Sequence, residues 1–241
     1  MKLHIGQAQL KGAFDAYASK FGLLELLAEP QRLPKLSKLR QWRASAPAGF
    51  VFSVVLSPAC LGGGEEAVEL LDYGLKVSKA LACQWLVIRS GPELRPSAAA
   101  ERRLKALVQR VREASPNVRL AWEPRGLWSG RVLERVAAEL DVCPVVDVSD
   151  AEPAELLYAR HRQIGVGTRT SSRRIEALAL ACVQSGEALV VVDGGSAAPL
   201  QRELQHLLSD FEVDDDDELD ELGPDTAADG EPASDQSGDS G

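Results

Sequence analysis

Short apolar runs alternate with helix-like stretches eight times over the first two hundred or so residues. That rhythm constrains the fold more than any other feature of the chain. The runs are Lys2–Gly6, Leu23–Leu27, Phe50–Leu56, Gln84–Arg89, Val118–Glu123, Cys143–Val148, Leu156–Arg160 and Ala188–Asp193. Several are almost continuously apolar, as parallel strands covered by helices on the outside must be. Between them, Leu104, Leu107, Val108 and Val111 keep the spacing of one helix face, as do Ile175, Leu178, Ala179 and Cys182. Leu200, Leu204, Leu207 and Leu208 form a last stripe. Eight such units predict an α/β chain closed into a (β/α)₈, TIM-like barrel, since barrels of about 200–250 residues are routinely single domains. Units 2 and 6 are expected to be short or irregular: Pro30 and Pro34 interrupt the second, and only Ser149–Glu155 is available for a sixth helix. An open doubly wound sheet is disfavoured because Gly6-Gln7-Ala8-Gln9 lacks the glycine-rich turn that usually follows its first strand.

The formal charge of −9 hides two opposed regions. From Ser209 onward there are 14 acidic residues and no Lys or Arg, which leaves 27 basic against 22 acidic residues before it. The chain is therefore divided into a barrel over residues 1–208 and an acidic tail over 209–241. Asp214-Asp215-Asp216-Asp217-Glu218 cannot be buried, so the tail is expected to be disordered. It would serve as a solubilising appendage, a dock for a basic protein partner, or a mask over the barrel's own arginines. Scattered Cys60, Cys83, Cys143 and Cys182 show no metal-ligand spacing and suit a reducing compartment. With no signal-like or membrane-length apolar segment, a cytoplasmic location without membrane association is expected. Nucleic-acid binding is disfavoured: the arginines Arg102, Arg103, Arg110 and Arg112 suit a solvated helix face, and stacking aromatics are few.

Several segments resemble the YecE-like family, the bacterial domain of unknown function 72. They are His4-Ile5-Gly6, Tyr17 through Glu25, Leu39-Arg40-Gln41-Trp42 with Pro47 through Val54, and Trp122-Glu123-Pro124-Arg125-Gly126-Leu127-Trp128. The resemblance spans nearly all of residues 1–208 and implies a TIM-like barrel; the family brings no established reaction. Departures fall at polar positions. The family's aromatic in the opening motif is missing, its lysine falls on Val55, and its paired asparagines fall on Asp193 and Gly194. Glu25, Glu123, Arg125 and Trp128 are retained, so the chain reads as a divergent member whose activity is open to loss.

In such barrels the working face gathers at the carboxyl ends of the strands. Those ends supply Glu25, Arg89, Glu123, Arg125, Asp147, Arg160, His161 and Asp193. Alternation along the fifth strand sends Glu123 and Arg125 toward the mouth if Trp122 packs outward. Two readings stay open for them: a carboxylate and an arginine acting on an anionic ligand, or an ion-pair network tying strand ends together. As catalytic candidates we take Glu123 and Asp147, on the expectation that a partly apolar mouth raises a carboxyl pKa toward neutrality. Glu25 and Arg125 are candidate ligand contacts. Gly165, Gly167, Thr168 and Arg173 before one helix, and Gly194, Gly195 and Ser196 before the next, are candidates to hold a phosphorylated group, although ordinary turns would use the same residues. No cofactor is implied, and no HxH or HExxH spacing marks a metal. The expected function is binding of an anionic small ligand at the barrel mouth, with catalysis undecided. The alternatives are a non-catalytic interaction protein working through its tail, and a divalent-metal hydrolase or isomerase built on Glu25, Glu123, Asp147 and His161.

Overall fold

Eight strands close a parallel barrel in strict chain order in this computed structural model, which describes residues 1–162 and 171–217. The strands are β1 (Lys2–Gln7), β2 (Leu23–Leu27), β3 (Val51–Leu56), β4 (Trp85–Arg89), β5 (Arg119–Glu123), β6 (Cys143–Asp147), β7 (Leu156–Arg162) and β8 (Glu187–Asp193). Between and after them lie α1 (Phe14–Ala18), α2 (Leu36–Ser45), α3 (Glu65–Leu81), α4 (Ala98–Ala114), α5 (Gly130–Leu140), α6 (Ser172–Val183) and α7 (Ala198–Asp217). The described helices number seven, one fewer than the sequence rhythm suggests. Between β6 and β7 there is only a 3-10 turn, Val148–Asp150, which Asp147 caps by accepting from the Ser149 amide at 3.0 Å. The stretch is too short to close a second helical turn before Pro153, so unit 6 is irregular as expected. Unit 2 does form a helix after its proline-containing lead, while α1 has only five residues. The closing helix α7 runs past the expected boundary at Ser209 to Asp217; residues 218–241, the bulk of the expected tail, lie outside the described residues. Among the described residues no helix is long and apolar enough to cross a membrane.

Side-chain alternation divides the core into two shells. Even-numbered β1 residues and odd-numbered β2–β6 residues face inward, so Leu23, Val87, Ala121 and Val145 pack with Trp85 and Tyr158 inside the ring. The rings of Trp85 and Tyr158 meet edge to face at 5.6 Å. Residues of opposite parity, among them Ile5, Val54, Ile88 and Trp122, join the helices in the larger outer shell. At the amino-terminal end of the barrel, Arg119 pairs with both Glu187 oxygens (2.6 and 2.8 Å) and lies over the Trp85 ring.

The seam between β1 and β2 is as narrow as that between β5 and β6, each with two pairs in register, here Gly6 with Leu23 and Gln7 with Leu24. A Cβ on Gly6 would fall 1.8 Å from the Leu23 carbonyl oxygen, so the backbones meet there only because residue 6 has no side chain. The Tyr17 hydroxyl closes the same seam: it donates to the Leu23 carbonyl at 2.6 Å and accepts from the Gln7 amide at 2.8 Å. Tyr17 belongs to the segment that resembles the YecE-like family, and this contact gives it a physical role. Replacing Tyr17 with Phe strands a buried carbonyl and a buried amide, and is expected to cost about 1–3 kcal/mol. Urea unfolding of Tyr17→Phe checks this; unchanged stability would show that the seam does not need the hydroxyl.

Candidate functional site

The outward packing of Trp122 sets the site. Its ring stacks edge to face on Trp128 at 5.0 Å, and its Nε1 donates to Ser90 Oγ at 3.2 Å. With Trp122 fixed against the outer shell, the next residue, Glu123, must enter the barrel mouth, where its side chain is fully buried. Arg89 Nε donates to Glu123 Oε2, and Arg162 Nη2 donates to Oε1, both at 2.6 Å. Arg160 Nη2 approaches Oε2 at 3.4 Å, and Arg125 Nη2 approaches Oε1 at 3.5 Å. One carboxylate thus sits among four guanidinium groups.

Arg160 carries the network deeper. Its Nη2 reaches Glu25 at 2.7 and 2.8 Å, and Tyr158 donates its hydroxyl to Glu25 Oε2 at 2.6 Å. Because that carboxylate only accepts, the Ser53 hydroxyl, 2.9 Å from Tyr158, is the donor in its own contact. On the mouth side Arg160 Nη1 lies 3.7 Å from Asp193 Oδ2, an ion pair too long to be a hydrogen bond. Arg160 Nε and Nη1 and Arg162 Nε are buried and donate to no partner among the described residues.

The electrostatics run against one sequence expectation. Burial alone would push the Glu123 carboxyl up, but the charges of Arg160 and Arg89 and the hydrogen bonds from Arg162 and Arg89 outweigh it, bringing the pKa down to about 2. The expected rise toward neutrality fails because the mouth is not a partly apolar pocket at this point but a cluster of arginines. Around Arg160, likewise, burial favours the neutral form, while Glu25 and Glu123 hold the guanidinium charged.

The structure joins Glu25, Glu123, Arg125 and Asp193 in one network through Arg160, in keeping with the ion-pair reading. It does not tie Asp147 to Glu123. Half-buried Asp147 directs Oδ1 to the Ser149 amide and hydroxyl, at 3.0 and 2.9 Å. It also acts on His161, whose pKa is lowered by burial and pulled partly back by Asp147. Gly194 and Gly195 take positive φ angles of 86° and 62° and turn the chain out of β8. The Gly195 carbonyl accepts from Lys11 Nζ at 2.7 Å, and Ser196 Oγ accepts from the Ala198 amide at 3.3 Å, capping α7. Arg173 is exposed in the first turn of α6. Gly165, Gly167 and Thr168 lie outside the described residues.

The metal alternative loses its ligand set. Among the described residues no three His, Cys, Asp or Glu side chains are grouped to hold a metal ion. Glu25 and Glu123 spend their oxygens on Arg160, Tyr158, Arg89 and Arg162 instead. Cys143 is packing, as its place in a strand suggests: burial pushes its thiol up to about 12.

Arg162 and Tyr158 were not legible as site residues in the sequence. Strand β7 continues two residues past the expected end at Arg160, and that extension puts Arg162 on the same inward face. The alternating Arg160-His161-Arg162 was the available signal.

Neither a family model nor a curated protein matches the sequence. Solved structures do match. A DUF72 family protein from Enterococcus faecalis superposes with a TM-score of 0.68 at 15% identity, covering 86% of this chain and 98% of its own. A DUF72 family protein from Thermotoga maritima gives 0.60 at 15% identity, with 88% and 100% covered. A xylose isomerase domain containing protein from Salmonella typhimurium gives 0.57 at 11% identity, with 85% and 96% covered. This chain therefore has the fold of the DUF72 proteins, the group its sequence segments resemble, and of xylose isomerase-like barrels.

Proposed function

We propose that the carboxyl-terminal mouth of this barrel binds a small anionic ligand. The observation that carries the reading is the set of buried donors without acceptors among the described residues, Arg160 Nε and Nη1 and Arg162 Nε, at the strand ends where barrels place their sites. A buried, unpaired donor costs about 1–3 kcal/mol, more when charged, and an anion supplying acceptor oxygens recovers that cost. Arg162 and Arg125, with side chains 35% and 43% exposed, form the accessible rim, and buried Arg160 forms the floor. Glu25 and Glu123 orient the arginines. Glu123 acts as a fixed negative pole rather than a proton carrier, because a carboxyl held near a pKa of 2 takes up no proton near neutrality. Asp147, half-buried at the end of β6, is then the carboxylate we assign to proton transfer in a catalytic version of this site. Gly194, Gly195 and Ser196 shape the adjoining rim.

A thermal-shift series in sodium formate, acetate, phosphate and sulfate, with ionic strength matched by chloride, should raise Tm for at least one of these anions in a saturable way. Arg162→Gln should abolish the rise. No response beyond chloride from any of them contradicts the reading.

Glu123→Ala makes a second test. It leaves a carboxylate-sized hole among buried arginines, and breaking such a cluster costs about 3–5 kcal/mol. Formate should refill the hole, so it should restore more stability to Glu123→Ala than it adds to the parent protein. Equal formate responses would mean that the arginines do not constitute an anion site.

A further inference from the structure

We infer that the mouth selects a ligand bearing a single negative charge on a carboxylate over phosphate or another dianion. This deepens the anion-binding reading above and rests on it. The first argument is charge. Among the described residues, Arg89, Arg125, Arg160 and Arg162 form one connected set of ion pairs with Glu25, Glu123 and Asp193, four positive charges against three negative. One further negative charge balances the set. A dianion overshoots it, beside a Glu123 carboxylate that is itself fully ionised. A dianion is repelled twice as strongly by the carboxylates and drawn twice as strongly by the arginines, so what separates the two anions is the cost of stripping water from the charge left over once the set is neutral.

The second argument is the donor set. Phosphate sites at barrel mouths draw on free backbone N–H groups at a helix start. At the β8–α7 turn one of those groups is already engaged: the Ala198 amide is given to Ser196 Oγ. What the described mouth offers is guanidinium edges. The arrangement around Glu123 shows what they accommodate: Arg89 on one oxygen and Arg162 on the other, both at 2.6 Å. Planar guanidinium groups match the two oxygens of a carboxylate in this way. A ligand carboxylate would repeat the pattern on the unused Arg160 and Arg162 donors. Asp193, the carboxylate of the set that is 38% exposed, sets the charge balance at the rim and is the specificity-determining residue.

The test is a pair of calorimetric titrations, sodium acetate against sodium phosphate, at matched ionic strength and about pH 8, where phosphate is mainly a dianion. The parent protein should bind acetate at least about tenfold more tightly than phosphate, the order expected for one surplus charge in such a site. Asp193→Asn removes one negative charge without emptying the core, so it should shift the acetate-to-phosphate ratio toward phosphate by about tenfold. A purely structural role for Asp193 would weaken both anions equally. Phosphate binding as tightly as acetate in the parent protein overturns this selectivity while leaving the anion site standing. An unchanged ratio in Asp193→Asn overturns its charge basis. Binding of neither anion, with Arg162→Gln indifferent, overturns the anion-binding reading as well.

Discussion

A carboxylate fixed among guanidinium groups organises the upper half of this barrel. Glu123 has no access to water, and a buried charge in that position is tolerated only if its partners replace the lost hydration. Arg89 and Arg162 do so by direct hydrogen bonds, and Arg160 by its charge. Because Arg160 also holds Glu25 and faces Asp193, the same interaction links β2, β5, β7 and β8 across the ring. The network is structural and also unfinished. It joins strand ends in the way a purely architectural cluster would, yet it leaves buried arginine N–H groups with no acceptor among the described residues.

The layers beneath make that arrangement possible. Tyr158 and Trp85 fill the barrel interior below the charged layer, so the arginines rest on a packed aromatic floor. Tyr158 belongs to both layers: its ring packs on Trp85 and its hydroxyl holds Glu25. Ring closure depends on the short β1–β2 seam, where Gly6 permits the backbone approach and Tyr17 satisfies the backbone groups left over. A slip at that seam would move Glu25, two residues beyond Leu23, out of reach of Arg160.

The sequence made the architecture legible because parallel strands need continuous apolar runs and covering helices need a periodic stripe. All eight runs became strands. The position of Glu123 was legible too, since an outward Trp122 requires an inward neighbour. What the sequence left hidden was set by tertiary contact. The ionisation of Glu123 depends on arginines contributed by β4 and β7, 34 to 39 residues away along the chain, and no local pattern announces their convergence. Arg162 was hidden by a strand end misjudged by two residues. The sixth helix was expected to be short and proved absent, because Asp147 caps a 3-10 turn there instead. Conversely, Asp147 and Glu123 share a barrel end in the sequence reading, but the capping bond and the arginine cluster draw them into separate surroundings.

The account turns on whether Glu123 is held ionised by its arginines. Carboxyl-carbon NMR of the Glu123 side chain, followed through an acid titration of the folded protein, measures this directly. The structure predicts a resonance that stays in its ionised position until the pH approaches about 2. A midpoint at or above the ordinary glutamate value of about 4.3 would mean that the arginine cluster does not form as described, and the anion site would fall with it.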